Sequence, residues 1–262
     1  MIVAAAICPS PPLLAAPLTG QAEVLPELRA ACAAAVACLL AAAPDVVVVA
    51  GPAGATGSWD PAGALSLASF APALGAGGHA PAEPGGYSPL DNSKKREAGR
   101  PAGGRPAGAP ALPLALGIGA LLLDEAGYRG PRALQAVAEA DPAPGCLALG
   151  RQVAASAPRV ALLAVGDGTA RRSASAPGYL DERAAPFDAA VERAVRDGDL
   201  LAIAALDPVL AAELLAAGRP AWQLLAGALL AGRRSASRPR TEVFYAGAPL
   251  GVAYLVATLI PR

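Results

Sequence analysis

The apolar residues of this chain gather in short unbroken runs separated by Gly- and Pro-rich breaks, and these runs set the architecture. Residues 2–7 (IVAAAI) form one run and lead into Cys8-Pro9-Ser10-Pro11-Pro12, the pattern of a buried strand entering a stiff, extended loop. Residues 27–43 read as a long Ala/Leu helix stopped by Pro44. Residues 45–50 (DVVVVA) give the clearest strand, a continuous β-branched run suited to cover on both faces. A glycine-rich loop, residues 51–58 (GPAGATGS), follows it. Strand, helix and strand in this order predict a parallel βαβ unit.

The second half repeats this alternation. An apolar helix over 114–126 ends at Gly127, a strand is expected over 133–137, and a helix over 145–155. A second buried strand covers 159–165 (RVALLAV) and opens into a turn-rich loop, 166–173. Residues 181–197 read as an amphipathic helix, with Asp181 as its cap and Glu182, Glu192, Arg193 and Arg196 toward water. Asp207-Pro208 opens a helix through 217, and 222–231 form a last apolar helix. Residues 242–245 and 252–258 close as strands joined through 247–251. The expected fold is a single α/β domain over residues 1–262: a three-layer sandwich with a central mixed, largely parallel sheet. Residues 71–111 have no period of either kind and contain DNSKKREAGRPAGGRPAG, so they are expected to be a flexible Gly/Pro/Ala-rich insertion.

Composition narrows the functional classes. The formal net charge is zero, which favours neither nucleic acid nor an acidic membrane surface as partner. The segment MIVAAAICPSPPLL lacks a basic start and is broken by prolines, so it reads as a strand and not as a signal peptide. Four cysteines with no CxxC pair fit a reducing cytoplasm. Cys32 and Cys38, six residues apart on one helix, point to different faces. An Ala/Leu-rich surface permits a homodimer. The chain has one histidine, His79, which excludes HExxH and histidine-triad metal sites.

In open α/β sheets ligands bind beyond the carboxyl ends of the strands. Three loops meet that description, residues 8–12, 51–58 and 166–173, and residues 245–251 are a candidate fourth. Cys8 reads either as a nucleophile or soft metal ligand or as a small buried hydrophobe. The loop containing Gly51 and Gly54 resembles a phosphate cradle without the lysine of a P-loop, and reads equally as a tight turn. Asp167, Gly168, Thr169 and Arg171, with Arg172, form the best polar cluster. Its arginines suit a carboxylate or phosphate of a ligand, or pair internally with Asp167.

The runs ICPSPPLL, VVVVAGP, VALLAVGDGTARRSASAPGYLDERAAPFDAAV, AAELLAAGRPAWQLLAGA and FYAGAPLGVAYLVAT resemble actinobacterial proteins classed with the class III extradiol dioxygenases. These are relatives of the catalytic B subunit of protocatechuate ring-opening enzymes, and Memo-type proteins are similar. The resemblance spans most of the chain outside residues 60–111. It implies an α/β sandwich, Fe(II) held by two histidines and a glutamate, and a further histidine as acid/base.

Carried over position by position, the first iron histidine is replaced by Ser10, the second by Gly54 or Ala55, and the acid/base histidine by Ala170 or Arg171. Glu242 is a candidate for the carboxylate ligand or an ordinary residue of a strand. The expected protein is therefore a diverged or inactive dioxygenase-like member without a metal site. Its small-molecule pocket is expected to involve Cys8, Ser10, Gly51, Gly54, Asp167, Gly168, Thr169 and Arg171. The alternative is a non-catalytic binding or scaffolding protein for an anionic or aromatic small molecule.

Overall fold

The computed structural model describes residues 1–15, 24–67, 111–232 and 238–262. The expected insertion at 71–111, except Ala111, lies outside the described residues, as does His79.

The strands are β1 (Ile2–Cys8), β2 (Val46–Ala53), β3 (Gly57–Trp59), β4 (Ala64–Leu65), β5 (Ala111–Leu112), β6 (Arg132–Ala138), β7 (Val160–Val165), β8 (Arg240–Gly247) and β9 (Tyr254–Ile260). The helices are α1 (Pro26–Ala41), α2 (Leu114–Glu125), α3 (Ala143–Ala155), α4 (Ala184–Arg196), α5 (Leu200–Ala204), α6 (Pro208–Glu213) and α7 (Arg219–Ala231). Seven strands form one sheet in the order β3-β6-β2-β7-β1-β9-β8, and β4 pairs with β5 separately. The four central strands, β6, β2, β7 and β1, run parallel, while β3, β9 and β8 pair antiparallel with their neighbours.

The period of two along each strand sorts side chains to opposite faces. Val47, Val49, Ala161, Leu163 and Val165 pack under α1 and α2. Val48, Ala50, Val160, Leu162 and Ala164 pack under the other helices. This is the three-layer α/β sandwich with a mixed, largely parallel sheet. Covered on both faces, β7 is buried at every position, which explains its unbroken apolar sequence. Small residues let the layers approach closely: a Cβ on Gly150 of α3 would run into the Leu224 carbonyl of α7, and one on Gly227 into Leu147. Among the described residues no helix is long and apolar enough to cross a membrane.

Several boundaries differ from the sequence expectation. Strand β2 runs on through Gly51 and Pro52 to Ala53, and β3 begins at Gly57, so the expected long loop shrinks to three residues. The α4 helix starts at Ala184, not 181, because the Asp181 carboxylate accepts from the Arg183 N–H at 2.9 Å and closes a turn before the helix. Asp207 caps α6, accepting from the Val209 N–H at 2.8 Å, but α6 ends at Glu213, where Leu215 takes a left-handed φ of 57°. As expected, Cys32 is buried and Cys38 exposed.

Candidate functional site

The connections out of β1 and β7 mark the carboxyl edge where the sequence led a ligand crevice to be expected. These strands are neighbours and parallel. The chain leaving β1 goes to α1 on one face, whereas the chain leaving β7 goes to α4 on the other. Loops that part in this way leave a gap at the carboxyl edge, the topological switch point. Here two bonds bridge it: the Gly166 N–H donates to the Cys8 carbonyl at 2.9 Å, and the Ser10 N–H donates to Asp167 Oδ1 at 2.6 Å. The Ser10 hydroxyl lies 3.4 Å from the same oxygen.

Burial pushes the Asp167 carboxyl up to about 6, and the Ser10 N–H and hydroxyl pull against that rise. Tyr254, which opens β9, is buried, and its phenol is raised first by burial and then by the charge of Asp167. A buried carboxyl raised in this way is a candidate acid or base.

The rest of the 166–173 loop is held by internal bonds. The Gly168 N–H donates to the Ala253 carbonyl, and the Ala253 N–H to the Thr169 carbonyl, each at 2.8 Å; the Arg172 N–H donates to the Gly251 carbonyl at 3.0 Å. Residues 251–253 thus join the loop, near the expected fourth segment. From α4, Asp188 accepts from the Thr169 N–H at 3.0 Å, from the Thr169 hydroxyl at 2.6 Å and from Arg172 Nη1 at 3.0 Å. Burial raises the Asp188 carboxyl, and these donors oppose the rise. Arg171 Nη1 donates to the Gly178 carbonyl at 2.7 Å. Both arginines of the expected anion cradle thus have a partner within the protein, while Arg171 Nε is buried without one among the described residues.

The structure thus brings Ser10, Asp167, Gly168 and Thr169 together and separates the other expected residues from them. Cys8 is fully buried, facing Cys32 under α1, and the Cys32 thiol together with burial raises its pKa well above that of a free thiol. It is the small buried hydrophobe and not a nucleophile. Gly51 is a packing residue: a Cβ there would lie 2.7 Å from the Ala115 Cβ. Gly54 is exposed in a short turn, with nothing within 4 Å of a Cβ. Glu242 is exposed on β8 opposite Thr258, away from the crevice end of that strand at Gly247 and Tyr254.

The donor set does not fit the Fe(II) that the resemblance implies. Ser10 is a poor iron ligand and is engaged with Asp167, Gly54 and Ala170 offer no side-chain donor, and Glu242 lies elsewhere. Among the described residues no group of three or more His, Cys, Asp or Glu side chains is placed to hold a metal ion.

Two site residues escaped the sequence reading. Asp188 carried a signal, since it shares a helical face with the buried Ala184, Phe187, Val191 and Val195, where a lone carboxylate needs partners. Tyr254 carried none, because its place depends on the pairing of β9 with β1 and β8.

Comparison with known proteins supports the architecture. The chain is similar to the crystal structure of the uncharacterized protein JW3007 from Escherichia coli K12, over 98% of this chain and 99% of that one, with a TM-score of 0.51 and 14% identity. At that identity the likeness shows the fold alone. No protein-family model matches the sequence, and no curated protein matches it.

Proposed function

We propose that this protein is a diverged class III extradiol dioxygenase-like protein that binds a small molecule at the switch-point crevice without iron. The observation that carries this reading is the bond from Ser10 to Asp167. It places a carboxyl, and not a histidine pair, where the loops after β1 and β7 meet. Asp167 is the group of this crevice able to give or take a proton near pH 6. The anionic-ligand alternative has less support, because Arg171 and Arg172 bind Gly178 and Asp188.

The test is anaerobic calorimetry of Fe(II) against the metal-free protein. The expected outcome is no stoichiometric heat. Tight binding of one equivalent would overturn the reading and return ring cleavage to the protein.

A further inference from the structure

A cavity of about 180 Å³ lies between the end of α6 and the start of α7, beside Glu139 at the carboxyl end of β6. Nothing in the dioxygenase resemblance accounts for it. Its floor is buried and includes Ala211, Ala216, Arg219 and Pro220. Its rim is exposed and includes Glu139, Ala212 and Leu215, so solutes reach it from water. For scale, a cavity of about 150 Å³ holds a benzene molecule.

The floor holds a buried cation without a counter-ion. Arg219 is 2% exposed. Its Nη1 donates to the Asp141 carbonyl at 2.6 Å and to Gln223 Oε1 at 3.0 Å, and its Nη2 donates to the Glu139 carbonyl. These acceptors are neutral, and no ion pair among the described residues includes Arg219. The Asp141 carboxylate takes the Thr56 hydroxyl instead. A guanidinium does not relieve the cost of burial by giving up its proton, so the charge stays and favours an anion.

One donor of this group stays open to solvent. Arg219 Nε has no acceptor among the described residues, yet it is not sealed off from water as the Arg171 Nε is. Arg219 borders this cavity. Nη2 keeps a second N–H. Two such groups are what a guanidinium offers to the paired oxygens of a carboxylate.

The lining has one charge of each sign, and the two are unequal. Glu139 is exposed, and water screens its carboxylate. Arg219 is buried, where screening is weaker. The rest of the wall is apolar. Ala211, Ala212, Ala216 and Ala217 present methyl groups, and Leu215, 44% exposed, stands at the rim. A short alkyl chain would cover this surface, whereas a phosphate would bring nothing to bury against it.

We infer that this cavity binds a small aliphatic monocarboxylate, whose carboxylate accepts from Arg219 Nε and Nη2 and whose alkyl chain lies along the alanines and Leu215. The site is separate from the crevice at Ser10 and Asp167, so its failure would leave that reading untouched.

Butyrate is the probe, added to the intact protein while the arginine Nε–H signals are followed by proton–nitrogen correlation. One signal is expected to move saturably, and Arg219→Lys to remove that signal. Butyramide, the uncharged isostere, and inorganic phosphate are each expected to bind more weakly by about tenfold. Ala212→Phe narrows the mouth at an exposed position of the rim and is expected to weaken butyrate by about tenfold. Glu139→Gln is expected to bind butyrate no less tightly than the parent. No saturable movement with butyrate would overturn the inference, as would equal binding of butyramide or phosphate, or butyrate binding unchanged by Ala212→Phe or weakened by Glu139→Gln. The three probes act on the unaltered chain, so their comparison does not depend on whether a variant folds.

Discussion

The loops after β2 and β7 look alike in sequence and behave differently in the structure. Both follow a buried parallel strand, and both are rich in glycine. The loop after β7 is enclosed: a Cβ on Gly166 would lie 2.6 Å from the Gly218 Cα, and one on Gly168 2.8 Å from both the Ala253 Cβ and Asp188 Oδ1. The loop after β2 is a short exposed turn with open space around Gly54. The difference lies in what the rest of the chain brings. The β9 entry, α4 and the start of α7 converge on the first loop, while β3 simply folds the second back along β6. A glycine-rich loop after a strand is enclosed only when other elements close over it.

The sharpest way to break this comparison is to remove the support from α4. Asp188→Ala leaves the Thr169 N–H and hydroxyl and the Arg172 guanidinium without their acceptor, and is expected to cost about 2–4 kcal/mol in urea unfolding, allowing for the partial exposure of Arg172. A loss near zero would mean that the loop holds its shape without α4. Next comes a matched pair of substitutions. Gly166→Ala forces backbone apart and is expected to cost about 1–3 kcal/mol, whereas Gly54→Ala is expected to stay within about 0.5 kcal/mol of the parent. Equal effects would erase the distinction between the loops.

A pH-dependent effect concerns Asp167. Its folded pKa lies above the 3.8 of a free aspartate, so its ionised form disfavours the folded state. That penalty is complete above about pH 6 and absent below about pH 4. Asp167→Asn removes it, and is expected to be more stable than the parent by about 1–2 kcal/mol near pH 7.5, with the gap closing as the pH falls to about 4. A gap that does not change with pH would show that Asp167 is not desolvated, and that the crevice is as open as the turn at Gly54.

The sequence by itself determined the layered fold. Unbroken apolar runs at 2–7, 46–50 and 160–165, alternating with Ala/Leu helices, have few arrangements open to them besides a parallel sheet covered on both faces. It also excluded HExxH and histidine-triad metal sites, because one histidine cannot supply them. It placed Ser10 and Asp167 at strand ends, and the pair does meet, since adjacent parallel strands bring their carboxyl ends to one edge.

Only the tertiary structure decided the partners. The arginines that promised an anion cradle turned inward, Arg171 to a carbonyl seven residues on and Arg172 to a carboxylate from α4. Cys8 ended against Cys32 of α1, and Gly51 under Ala115 of α2. Tyr254 came within range of the charge of Asp167 because β9 lies beside β1. Periodicity fixes which face of an element is buried, since that follows from the element's own geometry. Which polar group lies across from which depends on how separate elements register against each other, and no local pattern carries that information.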